Sequence, residues 1–217
     1  MEGEKFNSYR VLRSIKNRFG STNEIGVFEM RENGLVEVEN PSGFFLSGRE
    51  ELVPGSVVVA SMEGTRPILI ELQALVSRSS YGIPQRNTTG VDSRRLSMII
   101  AVLEKRAGLS MGMNDIFVNA AGGLKISETS VDLGTAVAMA SSFKDKPVED
   151  NIVVVGEIGL GGEVRPVSSL NRRLKEAFDL GFKHAVIPKA NGKAVHAPQG
   201  MRLSEVSSVT ETLALLL

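Results

Sequence analysis

Apolar positions along this chain recur with two periods. Leu96, Ile99, Ile100 and Leu103 fall at i, i+3, i+4 and i+7, the stripe of an amphipathic helix. Asp92 or Ser93 is placed to cap it, Arg106 lies near its end and Gly108 stops it. A second helix is predicted over Ser130–Ser142, unusually small-sided at Gly134, Ala136, Ala138 and Ala140 and so suited to close packing. Ser168 or Ser169 caps a third, with Leu170, Leu174, Ala177 and Phe178 on one face and Gly181 after it. The tail from Val209 reads as a fourth.

Runs with the period of a strand lie between and before these helices. Tyr9–Phe19 leads into the turn cluster Gly20–Asn23. Ile25–Met30 and Leu35–Val38 flank an Asn-Gly turn, a hairpin or meander pattern. Ser56–Met62, Pro67–Val76, Ile116–Ala120, Ile152–Glu157, Ala185–Pro188 and Met201–Leu203 complete the strands. Pro41-Ser42-Gly43 and Val53-Pro54-Gly55 read as punctuation, and a domain boundary is expected near residue 53. Ser77–Gly90 reads as a long loop. Strands mixed with three or four helices give a mixed α/β or α+β fold.

Composition narrows the chemistry. The 217 residues include no cysteine and two histidines, His184 and His196. That excludes a thiol nucleophile and a Cys-ligated zinc in this chain, and disfavours an imidazole metal site. No metal site is expected. Ile68–Ile70, Met98–Leu103 and Leu213–Leu217 are far shorter than the roughly 20 residues that span a bilayer. The polar N-terminus has no apolar signal core. A cytoplasmic location without membrane contact is the expectation.

The formal net charge is zero, but it is a cancellation between segments. Residues 1–20 carry five cations against two acids, residues 21–52 two against seven, and residues 64–109 seven against three. A wholly basic nucleic-acid module is excluded, whereas a local basic face is not.

Several motifs are missing. No Gly-x-x-x-x-Gly-Lys-Ser/Thr occurs, and Gly122-Gly123-Leu124-Lys125 lacks the spacing to cradle phosphates. Gly159–Gly162 fits a tight hairpin better than a nucleotide loop. There is no Gly-x-Ser-x-Gly elbow, and neither histidine lies near a nucleophile. If Ile15–Phe19 is extended, Lys16 and Arg18 share a face. Two adjacent cations suit a bound phosphate, or an exposed basic edge that resists aggregation.

Lys16-Asn17-Arg18-Phe19-Gly20, continuing through Ser21–Met30, resembles the signature of the RadA (Sms) family of bacterial RecA-related DNA-repair proteins. The resemblance continues through Met62-Glu63-Gly64-Thr65-Arg66-Pro67 and Gln73-Ala74-Leu75-Val76. The region beyond is similar to the proteolytic domain of Lon protease. The resemblance implies a Lon-like α+β fold over residues 54–217, preceded in 1–53 by the last strands of a RecA-like ATPase core. It implies that a zinc finger and a P-loop core, using zinc, ATP and magnesium, belong to full-length members and not to this chain. In RecA-like rings, cations on late core strands reach the nucleotide of the next subunit. Lys16 and Arg18 become candidates for that contact in trans.

Lon proteases use a Ser–Lys dyad. Aligned without gaps, the nucleophile position falls on Asp132 and the lysine position on Asn171. Neither supplies the hydroxyl or the low-pKa amine that a dyad requires. A carboxylate there also repels a developing oxyanion. The expectation is a pseudo-protease, with Asp132 capping the helix or bonding Asn171. The alternative is a displaced dyad of Ser130 and Lys175. The resemblance further implies a hexameric scaffold, double-stranded and branched DNA as ligand, a RecA-type recombinase as partner, and an ATP-dependent branch-migration motor in the whole protein. DNA-contact candidates are Arg66, Arg86, Arg94, Arg95, Lys105 and Arg106, with Lys125, Arg172 and Arg173 as a second group. Binding is expected to be weak, local and indifferent to sequence. A third reading is an oligomerisation module with no DNA contact.

Overall fold

The computed structural model describes residues 9–13, 25–31, 34–38, 40–46, 52–80, 82–189 and 195–217. Lys16 and Arg18 lie outside the described residues.

A three-stranded antiparallel meander comes first: β1 (Tyr9–Arg13), β2 (Ile25–Arg31) and β3 (Gly34–Glu37). Helix α1 (Pro41–Leu46) follows. Pro41-Ser42-Gly43 therefore opens a helix where a turn was expected. Proline's fixed φ suits a first helical position. Ser42 is buried: its hydroxyl donates to Glu176 Oε1 at 2.6 Å and accepts the Leu69 N–H at 3.0 Å.

The main body is a seven-stranded mixed sheet. Its strands are β4 (Ser56–Glu63), β5 (Arg66–Arg78), β6 (Arg86–Thr89), β7 (Asn114–Ala120), β8 (Ile152–Val154), β11 (His184–Pro188) and β12 (Arg202–Val206). Their spatial order is β12-β11-β8-β4-β5-β7-β6. β5 is antiparallel to β4 and β7, and every other pairing is parallel. The mixed α/β class read from the sequence is the class observed. One difference is β6, inside the expected Ser77–Gly90 loop. Its polar Arg-Asn-Thr-Thr run carries no apolar period and forms only by pairing with β7.

Helices cover both faces. Helix α2 (Ser93–Ala107) has the predicted bounds and caps. The Asp92 carboxylate accepts the Arg94 and Arg95 N–H groups at 2.9 Å each, and Gly108 closes the helix in the left-handed region. α2, α3 (Asp132–Lys144) and α5 (Val209–Leu216) enclose the larger core with Val57, Val59, Ile70 and Leu72. On the opposite face α4 (Leu170–Asp179) packs Leu174 and Ala177 against Val58, Ala60 and Val153. α3 is buried over most of its length because its small side chains let it lie against β4. A Cβ on Gly134 would sit 2.1 Å from Val59 Cγ1.

A short ribbon, β9 (Glu157–Ile158) with β10 (Val164–Arg165), stands apart from the main sheet. Gly159–Gly162 makes its turn, the hairpin expected there, with the Gly159 N–H on Glu163 O at 3.0 Å. Among the described residues no helix is long and apolar enough to cross a membrane.

Candidate functional site

The positions that align with a Ser–Lys dyad lie where α3 and α4 begin, and each is committed elsewhere. Asp132 is the first residue of α3, its side chain 4% exposed. It forms an ion pair with Arg95 of α2 and accepts the Ile158 N–H at 3.3 Å. Arg95 Nη2 also donates to Ile158 O at 3.3 Å. The pair thus satisfies both outward-facing backbone groups of one β9 residue, which would otherwise need a neighbouring strand or water. Burial pushes the Asp132 carboxyl above the ordinary aspartate range, opposed by the bond and charge of Arg95.

Asn171 is not Asp132's partner. Its Oδ1 accepts the His196 backbone N–H at 3.1 Å. Asp132 is taken by Arg95 and Ile158 and Asn171 by His196, so the expected Asp132–Asn171 bond is not made. The displaced dyad is not assembled either. Ser130 is buried; its hydroxyl donates to Glu128 Oε1 at 2.6 Å and accepts from Arg173 at 3.0 Å. Lys175 is exposed, with Nζ 2.5 Å from Asp179 Oδ2. That bond holds its ammonium above the usual lysine range, opposite to what a catalytic amine requires.

Beside the Arg95–Asp132 pair lies a cleft of about 500 Å³, lined by Arg95, Met98, Glu157, Leu160 and Arg165. Its charges are balanced within it. Arg165 pairs with Glu163 at 2.5 Å, and Thr129 donates to Glu157. It therefore offers no nucleophile–base pair and no net anion attraction. Among the described residues no group of three His, Cys, Asp or Glu side chains could hold a metal ion.

The basic candidates divide sharply. Arg173, expected among the DNA contacts, is wholly buried and cannot reach DNA. It donates to Glu128 through both terminal nitrogens, to Ala60 O at 2.5 Å and to Ser168 O at 3.0 Å. A buried guanidinium needs such a set of acceptors to offset its desolvation. The sequence held a signal for this. Arg173 lies three residues after Leu170 and four before Ala177, on the helix's apolar stripe. Arg95 is likewise tied down by Asp132.

Arg86, Arg94, Lys105, Arg106, Lys125 and Arg172 are exposed, and Arg66 is half-buried. The Ile126 N–H bonds Gly90 O at 2.8 Å. This brings the Lys125 stretch beside the turn that links Arg86 on β6 to Arg94 on α2. Lys105 and Arg106 lie at the far end of α2, roughly 20 Å away along its axis, beside Thr210, whose hydroxyl bonds Arg106 O.

Comparison with known proteins meets the resemblance read from the motifs. A family model described as "Subunit ChlI of Mg-chelatase" matches residues 73–191, more than half the chain. The chain belongs to that family. It also matches proteins named DNA repair protein RadA. The relative from Halalkalibacterium halodurans is 52% identical over 216 residues, which is 100% of this chain and 47% of the relative. Those from Synechocystis sp. and Bacillus subtilis are each 50% identical, over 216 and 212 residues, covering 42% and 46% of those proteins. The chain spans about half the length of the curated relatives it matches, their C-terminal part.

Proposed function

We propose that this chain is a DNA-contacting, peptidase-inactive part of a RadA-type DNA repair protein. The observation that carries the reading is the dyad region. Asp132 is bound by Arg95 and Ile158, Asn171 by His196, and Lys175 by Asp179. A domain of this size with its aligned catalytic positions spent in structural bonds is kept for another purpose. Relatives named for DNA repair make DNA the first ligand to test.

In this reading residues 54–217 are a Lon-like scaffold, and 1–53 are the last strands of an ATPase core. The scaffold holds a hexameric ring, and Arg86, Arg94 and Lys125 line the start of a double-stranded DNA path. Lys16 and Arg18 reach the nucleotide of a neighbouring subunit. Nucleotide hydrolysis, branch migration and contact with a recombinase belong to the whole protein.

A salt titration of duplex DNA binding, run with mass measurement in solution, tests this. Phosphate contacts predict affinity that falls steeply between roughly 50 and 200 mM salt. Binding that is absent at low salt, or flat across that range, overturns the DNA reading. A hexamer without binding leaves an assembly module instead.

A further inference from the structure

The arch between β5 and β6 combines two features that rarely meet on a soluble surface. It carries cations without acids, and it ends in bare apolar side chains. Residues 77–90 include Arg78 and Arg86 and no Asp or Glu. Both arginines are exposed. Ile83, within the arch, is 81% exposed, and Met113, just before β7, is 67% exposed.

The backbone joins these residues into one tip. The Ser79 N–H donates to Met113 O at 3.1 Å, so one foot of the arch rests on the methionine. At the other foot the Gln85 N–H donates to Asp115 Oδ1 at 2.8 Å, and the Ile116 N–H to Gln85 O at 2.8 Å. The first of these places the Asp115 carboxylate at this foot of the arch, against the two arginines. Gly82 has φ +77°, and nothing lies within 4 Å of where its Cβ would be. There is open space at Gly82, and both feet of the arch are fixed.

Ile83, between the two feet of the arch, and Met113, under one foot, lie at the same end of the sheet, and covering their exposed apolar surface would release free energy. An apolar ligand surface bordered by negative charge fits this tip. The stacked bases of duplex DNA, flanked by phosphates, have that chemistry. We propose that Ile83 and Met113 form a wedge that enters a base step of duplex DNA while Arg78 and Arg86 hold the phosphates on either side. Apolar wedges of this kind partly unstack a step and kink the duplex. The inference rests on the DNA reading above and adds to it how the duplex is held. It also makes a deformable or mismatched step the preferred one, because unstacking there costs least.

The test compares the whole chain with an Ile83→Ser, Met113→Ser double variant, on a plain duplex and on one with a central mismatch. Both side chains are exposed, so an unchanged melting temperature is expected and confirms folding. The wild-type chain should bind the mismatched duplex about fivefold tighter than the plain one. It should also raise the fluorescence of 2-aminopurine beside the mismatch. The variant should lose both effects, its affinity for the mismatched duplex falling to that for the plain one, which the phosphate contacts still hold. If the wild-type chain binds both duplexes equally and the variant changes nothing, the wedge is wrong and the DNA reading stands. If the wild-type chain binds neither, the DNA reading fails and the wedge with it. A fall in solution mass in the variant would show that the tip meets a second copy, and would overturn the proposal.

Discussion

Arg173 and Glu128 meet in a two-pronged pair, Nη1 to Oε1 at 2.6 Å and Nη2 to Oε2 at 2.7 Å. Glu128 also accepts the Met62 N–H at 2.5 Å. One carboxylate thus ties α4 and the approach to α3 to the end of β4. Arg173→Ala should cost about 3–5 kcal/mol, because it leaves a largely desolvated carboxylate without its cation. Urea denaturation measures this. A loss below about 1 kcal/mol would show that water replaces the arginine.

The same pair sets an acid limit. Burial alone would raise the Glu128 carboxyl, but the bonds from Arg173 and Ser130, the arginine's charge and the Met62 N–H outweigh it and hold it below the ordinary glutamate range. Its contribution is therefore present above the unfolded-state value and is lost as pH falls through the depressed folded-state value. Glu128→Gln should show a shallower loss of stability below about pH 4.5 than the wild type. Parallel acid-unfolding curves would remove Glu128 from that role.

Rebuilding the dyad should not restore proteolysis. In an Asp132→Ser, Asn171→Lys double variant, Arg95 loses its carboxylate and remains a cation beside the new hydroxyl, and the lysine replaces a side chain that bonds the His196 backbone N–H. No cleavage of fluorescent casein is the expected outcome. Serine-probe labelling at position 132 with turnover would show that the two introduced side chains form a working dyad.

α2 was legible from the sequence because each of its signals is local: the Asp92 cap, the Leu96–Leu103 stripe and Gly108. α1 was not, because Pro41-Ser42-Gly43 has turn composition. Its burial is decided by Glu176 and Leu69, far along the chain. The degeneracy at Asp132 and Asn171 could be read by alignment. What binds them could not, because Arg95 reaches Asp132 from a different helix. Arg173 and Arg172 are identical as letters and adjacent, yet one is buried and the other exposed. Only the helical phase against Leu170 and Ala177 separates them.

The same phase gives a paired prediction. Arg94→Ala should weaken duplex binding modestly and lower the salt slope by about 1, the release of one phosphate contact. Arg172→Ala should leave the melting temperature nearly unchanged, in contrast to Arg173→Ala. A salt slope unaltered by Arg94→Ala would move the DNA path away from the start of α2.

Gly134 gives the sharpest packing prediction. Gly134→Ala forces a methyl group to within 2.1 Å of Val59 Cγ1, where α3 lies against β4. Overpacking of this kind costs about 1–3 kcal/mol, although alanine favours the helix. A net stabilisation would mean that α3 can slide away from β4.

β4 pairs with β5 through a tight turn, but its other edge pairs with β8, Val58 beside Val153. That second edge must wait for α2, β7 and α3 to be synthesised. During translation the hairpin therefore emerges with one flank bare, and its bond-forming groups are closed only after most of the domain has left the ribosome. The late pairing makes closure of the sheet a slow, non-local step. It also leaves that edge of the central strand open to mispairing while the chain is being made.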